Sequence, residues 1–309
     1  MTELRVCEKW YPNKEHPDKS GFLMEIALKN NLDILAKNIR NDWDFTIIIS
    51  GGGEVRVGKS VLAMQIACYI AYLMREDYGE KVSFNLENNF CFTGEDLIEK
   101  GHFLGKNYPY SPLIFDEAGS DLEGRKIMTT STKQVLDFFR ECGQYNLFNI
   151  LVIPEYFDLP KGIALSRSIF LIDVSYSANK EGKFRRGYLR FFSRKRKKQL
   201  YLRGKRDLNY AAAIYDFHGR FYEFYPLSQE KYRGLKEQAL LSRKEIQEKK
   251  LGKKEVRADI ALYLLNKRFG MTQEEISTAF LEHGYKLPQT TVSDCIKRAI
   301  PIENPPNNA

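Results

Sequence analysis

The chain has 309 residues, of which 43% are hydrophobic and 28% charged, with a formal net charge of +8. That length suits one sizeable α/β domain plus a smaller unit, and the composition excludes disorder as the default state. Five scattered cysteines (Cys7, Cys68, Cys91, Cys142, Cys295), never spaced as Cys-x-x-Cys, argue against a disulfide framework or a zinc site and for a reducing, cytoplasm-like compartment.

Met1 to Cys7 carries charges and lacks the apolar stretch of a secretory signal. Residues 1–42 read as a lead-in segment, with Met24, Leu28, Leu32, Leu35 and Ile39 at helical spacing across Phe22 to Ile39. Phe45 to Ile49 is a β-branched strand, Gly51 to Gly58 a glycine-rich turn, and Ser60 to Glu76 a helix. The apolar run Val61 to Met74 is too short to cross a bilayer and reads as a buried helix, so no membrane span is expected. Lys81 to Leu86 reads as a strand, Glu95 to Lys100 as a helix, Pro112 to Phe115 as a strand, and Thr132 to Glu141 as a helix. Asn149 to Ile153 and Ser168 to Val174 follow as strands. This alternation implies an α/β fold with a central, mainly parallel sheet and crossover helices.

Gly53-Glu54-Val55-Arg56-Val57-Gly58-Lys59-Ser60 matches G-x-x-x-x-G-K-[ST] between a predicted strand and a predicted helix. Glycines let backbone N–H groups turn inward around phosphate oxygens, and the helix beginning near Ser60 and Val61 points its positive end at the same anion. In such a motif the lysine, here Lys59, reaches the β- and γ-phosphates, and the hydroxyl of Ser60 ligates Mg²⁺. Arg56, inside the loop, is expected to face solvent. Leu113-Ile114-Phe115 runs into Asp116 and Glu117; downstream of a P-loop, Asp116 is the candidate metal-binding acid and Glu117 the group that polarises the attacking water.

With these motifs the segment Asp44 to Val174 resembles the additional-strand catalytic-glutamate class of P-loop ATPases. Phe139-Arg140-Glu141-Cys142-Gly143 followed by Ile150-Leu151-Val152 resembles the FtsK/HerA-type translocases and the zonular-occludens-toxin-like phage ATPases. The resemblance implies a RecA-like P-loop fold, ATP and Mg²⁺ as ligands, and a homo-oligomer such as a hexameric ring that moves or packages DNA for a virus, phage or mobile element in a host cytoplasm. It also implies a γ-phosphate sensor after the next strand. Pro154 and Glu155 stand there, which makes Glu155 the candidate although the class prefers Gln, Asn or Thr. An arginine acting in trans is implied as well, with Arg140 and Arg167 the candidates.

Beyond Tyr176 short aromatic and basic segments suggest an antiparallel appendage with turns at Gly187, Gly204 and Gly219. Lys183 to Arg206 holds twelve basic residues and no acidic one, so the remaining chain is net acidic. Read as a β-hairpin, this stretch puts Arg186, Tyr188, Arg190, Phe192 and Arg194 on one face and Lys195, Arg196, Lys197 and Lys198 at the tip, a surface suited to DNA. A solvated hairpin whose aromatics pack on the core is the alternative.

The P-loop ATPase domain is thus placed at 43–234, with a charged linker helix at 235–255, a small all-α, winged or plain helix-turn-helix domain at 256–300, and a disordered tail at 301–309. In the small domain Ile260, Leu264 and Leu265 mark a first helix. Thr272-Gln273-Glu274-Glu275 is a capping box opening a second, with Ile276, Ala279 and Phe280 inward. Gln289 to Ile300 makes a third, from which Gln289, Thr290, Thr291, Ser293, Lys297 and Arg298 would face DNA. A three-helix bundle for protein contacts remains open. Three functions compete: an ATP-driven DNA motor or loader, an ATP-switched DNA-binding regulator, and an ATPase docking a viral or mobile-element protein.

Overall fold

A computed structural model of the chain describes residues 2–54, 56–118, 122, 130–178 and 181–299. It divides into two compact units, Met1–Lys236 and Glu237–Ala309. Val55 and the tail 301–309 lie outside the described residues.

The first unit opens with a two-stranded antiparallel ribbon, β1 (Glu3–Val6) and β2 (Phe22–Glu25), followed by the helix Ile26–Ile39. The sequence-predicted lead-in helix therefore loses its first turn to a strand, and residues 1–42 belong to the first compact unit rather than preceding it. The main sheet contains β3 (Phe45–Ser50), β4 (Phe90–Cys91), β5 (Pro112–Phe115), β6 (Phe148–Val152), β7 (Ser168–Ala178), β8 (Phe184–Phe192) and β9 (Phe217–Arg220). Their order is β4-β5-β6-β3-β7-β8-β9. From β4 to β7 every pairing is parallel, while β8 and β9 are added antiparallel, so the predicted appendage is a continuation of the sheet.

β3 is buried along its whole length, as expected of a central parallel strand rich in isoleucine. The helix Lys59–Tyr72 is buried all round from Val61 to Ala71, which accounts for its unbroken apolar sequence. A core of Leu113, Phe115, Phe139, Leu151, Tyr156 and Phe157, among others, fills one face of the sheet.

Lys81 to Leu86 does not form a strand. Ser83 N–H donates to the Ser111 hydroxyl at 2.9 Å, and the Asn89 amide donates to the carbonyls of Ser83 (2.9 Å) and Pro112 (2.6 Å), so side chains satisfy this backbone in place of a ladder. The sheet edge passes instead to the two residues of β4.

The predicted hairpin over 183–206 does not form: β8 pairs antiparallel with β7, which precedes it, and with β9. Residues 195–198 are not a tip: Arg194–Gly204 is a helix. Face alternation along β8 is broken by a register shift opposite Ser175 and Ser177 and by Gly187 at φ +88°, where a Cβ would sit 2.2 Å from the Phe221 carbonyl oxygen. Phe191 and Phe192 are both buried because both faces of the sheet are covered there, Phe191 against Phe170 and Phe217 and Phe192 in the core with Leu171 and Leu200, which removes Phe192 from any solvent face.

In the second unit Leu262, Ile276, Val292, Cys295 and Ile296 form one small core among the helices ending at Lys267, Gln273–Glu282 and Gln289–Arg298. The capping box is present, with Thr272 and Glu275 bonding each other's backbone N–H. Phe280, expected inward, is exposed instead, and of the first helix Ile260 and Leu264 are exposed while Leu262 packs against its neighbours. No strand occurs among the described residues of this unit, so the wing has no counterpart there. No described helix is long and apolar enough to cross a membrane.

Candidate functional site

After Ser50 the chain turns through Gly53 (φ +77°) and Gly58 (φ +102°) into the helix at Lys59. The amides of Gly51 and Gly53 donate to the Pro154 carbonyl at 3.4 and 2.9 Å, tying the loop to the end of β6. First-turn amides of a helix have no intrahelical acceptor, so those of Lys59, Ser60 and Val61 form an anion-facing end. The Lys59 ammonium folds back onto the Glu54 carbonyl at 2.5 Å. Arg56 is exposed, as its place in the loop suggests.

Asp116 and Glu117 end β5 on the same edge of the sheet, although β6 lies between β5 and the P-loop strand β3. The helix bridges that gap: Ser60 Oγ donates toward both carboxylate oxygens of Asp116, each at 3.2 Å. Asp116 is 1% exposed, and Glu117 sits at φ +60°, held in part by the Ala118 amide donating to Val152 O at 3.1 Å.

Two residues that the sequence did not single out complete the cluster. Tyr232 donates its hydroxyl to Asp116 Oδ2, and the Lys236 ammonium lies 3.2 Å from that same oxygen and 2.7 Å from Glu117 Oε1. They stand four apart at the start of the helix Gln229–Lys267, in a sequence of alternating charge that resembles a solvated helix, so no signal distinguished them. Burial pulls the Lys59 pKa below its ordinary value, against the opposing pull of Glu117 and Asp116. Burial works the same way on Lys236, but Asp116 and Glu117 outweigh it and raise that group. The Tyr232 hydroxyl is pushed up by burial and by the Asp116 charge.

Lys59, Ser60, Asp116, Glu117 and Lys236 line one cavity of about 1240 Å³, and Arg186, expected on a DNA-binding face, lines it too. Glu155 stands beside Gly53, accepting from the Tyr210 hydroxyl at 2.6 Å and the Phe157 amide at 3.1 Å. The tyrosine also contacts Ser50 at 3.0 Å, so the carboxylate braces the loop.

The candidate arginines lie elsewhere. Both precede parallel strands, Arg140 before β6 and Arg167 immediately before β7, so they stand at the sheet edge opposite the P-loop of their own chain. Arg140 is exposed and bonds Asp137 at 2.8 Å. Arg167 is held by Asp44 at 2.8 Å and by the Cys142 sulfur at 3.5 Å, a partly buried structural pairing that a trans role would have to break.

Part of the basic stretch is similarly committed. Arg190 donates from both Nε and Nη2 to Oδ2 of buried Asp173, whose carboxyl burial raises to about 6 despite the arginine. Lys197 is fully buried, donating to the Ala164 carbonyl at 2.6 Å, so it is removed from the DNA-facing set. Arg194 caps Ser166 O at 3.1 Å, and Arg196 lies 3.9 Å from Asp216. Lys195 and Lys198 are exposed. In the second unit Gln289, Thr290, Thr291 and Lys297 are exposed and Ser293 is half-buried, while the side chain of Arg298 lies outside the described residues.

A phosphate loop and an acid-ended strand joined across an intervening parallel strand define the P-loop nucleoside triphosphatase fold. No protein-family model and no curated protein matches the chain. Among solved structures, it is similar to the genome packaging NTPase B204 of Sulfolobus turreted icosahedral virus 2 in complex with ATP-gammaS, at 15% identity over 48% of this chain and 92% of that one, with a TM-score of 0.33. It is likewise similar to B204, the DNA-packaging ATPase from Sulfolobus Turreted Icosahedral Virus (17% identity, 50% and 94% covered, TM-score 0.33). The N-terminal domain of zonular occludens toxin from Neisseria meningitidis is a third such structure (13% identity, 49% and 84% covered, TM-score 0.30).

Proposed function

We propose that this chain is an ATPase that works on DNA as a motor or loader. The observation that carries the hydrolytic part is the convergence of Lys59, Ser60, Asp116 and Glu117 on one cavity. Ser60 Oγ and the Asp116 carboxylate are hard oxygen donors 3.2 Å apart, a pair suited to Mg²⁺ arriving with a triphosphate. Bound there, the metal would neutralise charge on the β- and γ-phosphates.

Lys59 exchanges its bond to the Glu54 carbonyl for a phosphate oxygen, and the amides of the first helical turn orient the same group. Glu117, beside Asp116, takes the proton of the attacking water. Glu155 is a carboxylate and donates nothing to a phosphate; its part is to hold the loop through Tyr210.

DNA as the polymer acted on is supported by the local excess of cations between Lys183 and Arg206, among which Arg185, Arg186, Lys195, Lys198 and Arg203 are exposed, and by the polar face Gln289, Thr290, Thr291 and Lys297 of the last helix. Arg140, exposed and away from its own P-loop, is the residue offered to a neighbouring subunit of a ring. A virus, phage or mobile element acting in the host cytoplasm is the setting in which such a motor packages, transfers or replicates DNA.

A triplex-displacement assay tests the motor: ATP-dependent displacement by the wild type, absent in Glu117→Gln, is expected. DNA-stimulated hydrolysis without displacement would leave an ATP-switched DNA-binding regulator in its place. Exposed Ile260, Leu264 and Phe280 on the second unit favour docking of a partner protein as the second reading.

A further inference from the structure

We propose that Cys7 and Cys68 form a redox-controlled cross-link that clamps the N-terminal ribbon to the P-loop helix. Cys7 follows β1 and Cys68 lies on the helix Lys59–Tyr72, 61 positions along the chain, yet their sulfurs are 3.9 Å apart. The inference holds whether or not the P-loop binds a triphosphate.

Three observations set this pair apart. Cys7 sits at φ +58°, a left-handed conformation that residues other than glycine seldom adopt. The amides of Trp10 and Tyr11 donate to its carbonyl at 3.1 and 3.2 Å, so the turn after β1 fixes the residue with its thiol inward, 1% exposed. Next, the same turn is tied down over the helix. The Tyr11 hydroxyl lies 3.4 Å from Cys68 Sγ and donates to the Pro226 carbonyl at 2.9 Å, while the Trp10 indole donates to Glu76, just past the helix, at 2.9 Å. Finally, the other cysteines are engaged elsewhere. Cys91 Sγ donates to the Asp96 carbonyl at 3.6 Å, Cys142 Sγ accepts from Arg167 at 3.5 Å, and Cys295 packs in the core of the second unit.

Bonded sulfurs stand about 2.05 Å apart, so each thiol has to move by about 1 Å, less than a side-chain rotation provides. Burial holds the Cys7 thiol far above its ordinary pKa, and only a thiolate exchanges. The bond therefore forms while the ribbon is lifted from the helix and is shut away from reductants once it settles. The oxidant is a low-molecular-weight disulfide such as oxidised glutathione. One cysteine thiolate attacks a sulfur of the oxidant and expels one glutathione thiolate; the other cysteine thiolate attacks the protein sulfur of that mixed disulfide and expels the second. Two electrons pass from the cysteines to the oxidant, and the two cysteine protons end on the two glutathione thiols. In a reducing compartment the pair stays as two thiols, the form present in the structure.

An equilibrium titration of the full chain with graded mixtures of reduced and oxidised glutathione tests the cross-link. It is approached from both the reduced and the oxidised side, in buffer and in concentrated urea, with linked peptides mapped by mass spectrometry after alkylation. Thiols held together by the fold should lie roughly a hundredfold further toward the Cys7–Cys68 disulfide in buffer than in urea, where only a long flexible loop joins them. By linkage the oxidised chain should melt roughly 5 to 15 °C above the reduced one, a rise lost in Cys68→Ser. An equilibrium no further toward the bond in buffer than in urea overturns the proposal. So does preferential bonding of Cys91, Cys142 or Cys295, or an oxidised wild type that melts no higher than the reduced one.

Discussion

Lys236 places its ammonium 3.2 Å from Asp116 Oδ2, the carboxylate that Ser60 also contacts, and 2.7 Å from Glu117 Oε1. An ammonium and a divalent cation cannot share one carboxylate oxygen at that range without strong repulsion. Lys236→Ala should therefore lower the Mg²⁺ concentration needed for half-maximal ATP binding, by roughly three- to tenfold for a partly exposed pair. A Mg²⁺ titration of fluorescent-nucleotide binding measures it; an unchanged or higher requirement contradicts the competition.

Lys197 offers a pH test of the fold alone. Burial and the neighbouring Arg194 lower its pKa from 10.5 to about 7, consistent with a neutral amine donating to the Ala164 carbonyl. Between those two values the unfolded chain holds a proton that the native chain has released, so stability rises with pH across the window and levels off above it. Lys197→Met should flatten that rise. Urea unfolding midpoints at neutral pH and near pH 10 report it, and an identical slope in wild type and variant would refute the assignment.

For the last helix, the full-length variant Thr291→Ala/Lys297→Ala should bind duplex DNA more weakly, with the salt dependence of affinity reduced by about one unit of slope for the lost phosphate contact. Fluorescence anisotropy across a salt series reads both quantities. Unchanged affinity and slope would assign that exposed face to something other than DNA.

Much of the phosphate end was legible in the sequence because its constraints are local. Gly58 must turn into a helix, Lys59 and Ser60 follow at once, and Leu113-Ile114-Phe115 can only be a buried strand that delivers Asp116 and Glu117 to the sheet edge. Tyr232 and Lys236 were not legible, since they reach Asp116 from more than a hundred residues away along the chain and look, in sequence, like any exposed helical pair.

The basic stretch misled for a related reason. A run of cations signals solvent only if none is needed inside, and here Lys197 caps buried carbonyls while Arg190 neutralises Asp173 within the sheet. In the same way Ile260 and Leu264 share a helical face, but which face packs is fixed by Leu262 and the neighbouring helices.

The most direct measurement is steady-state ATP turnover, with nucleotide affinity, for the purified wild type, Lys59→Ala and Glu117→Gln in the presence of Mg²⁺. The wild type should hydrolyse ATP, Lys59→Ala should lose affinity together with turnover, and Glu117→Gln should keep its affinity while turnover falls about 10² to 10⁴-fold. Turnover that survives intact in both variants would contradict the placement of catalysis at the P-loop and its acidic pair.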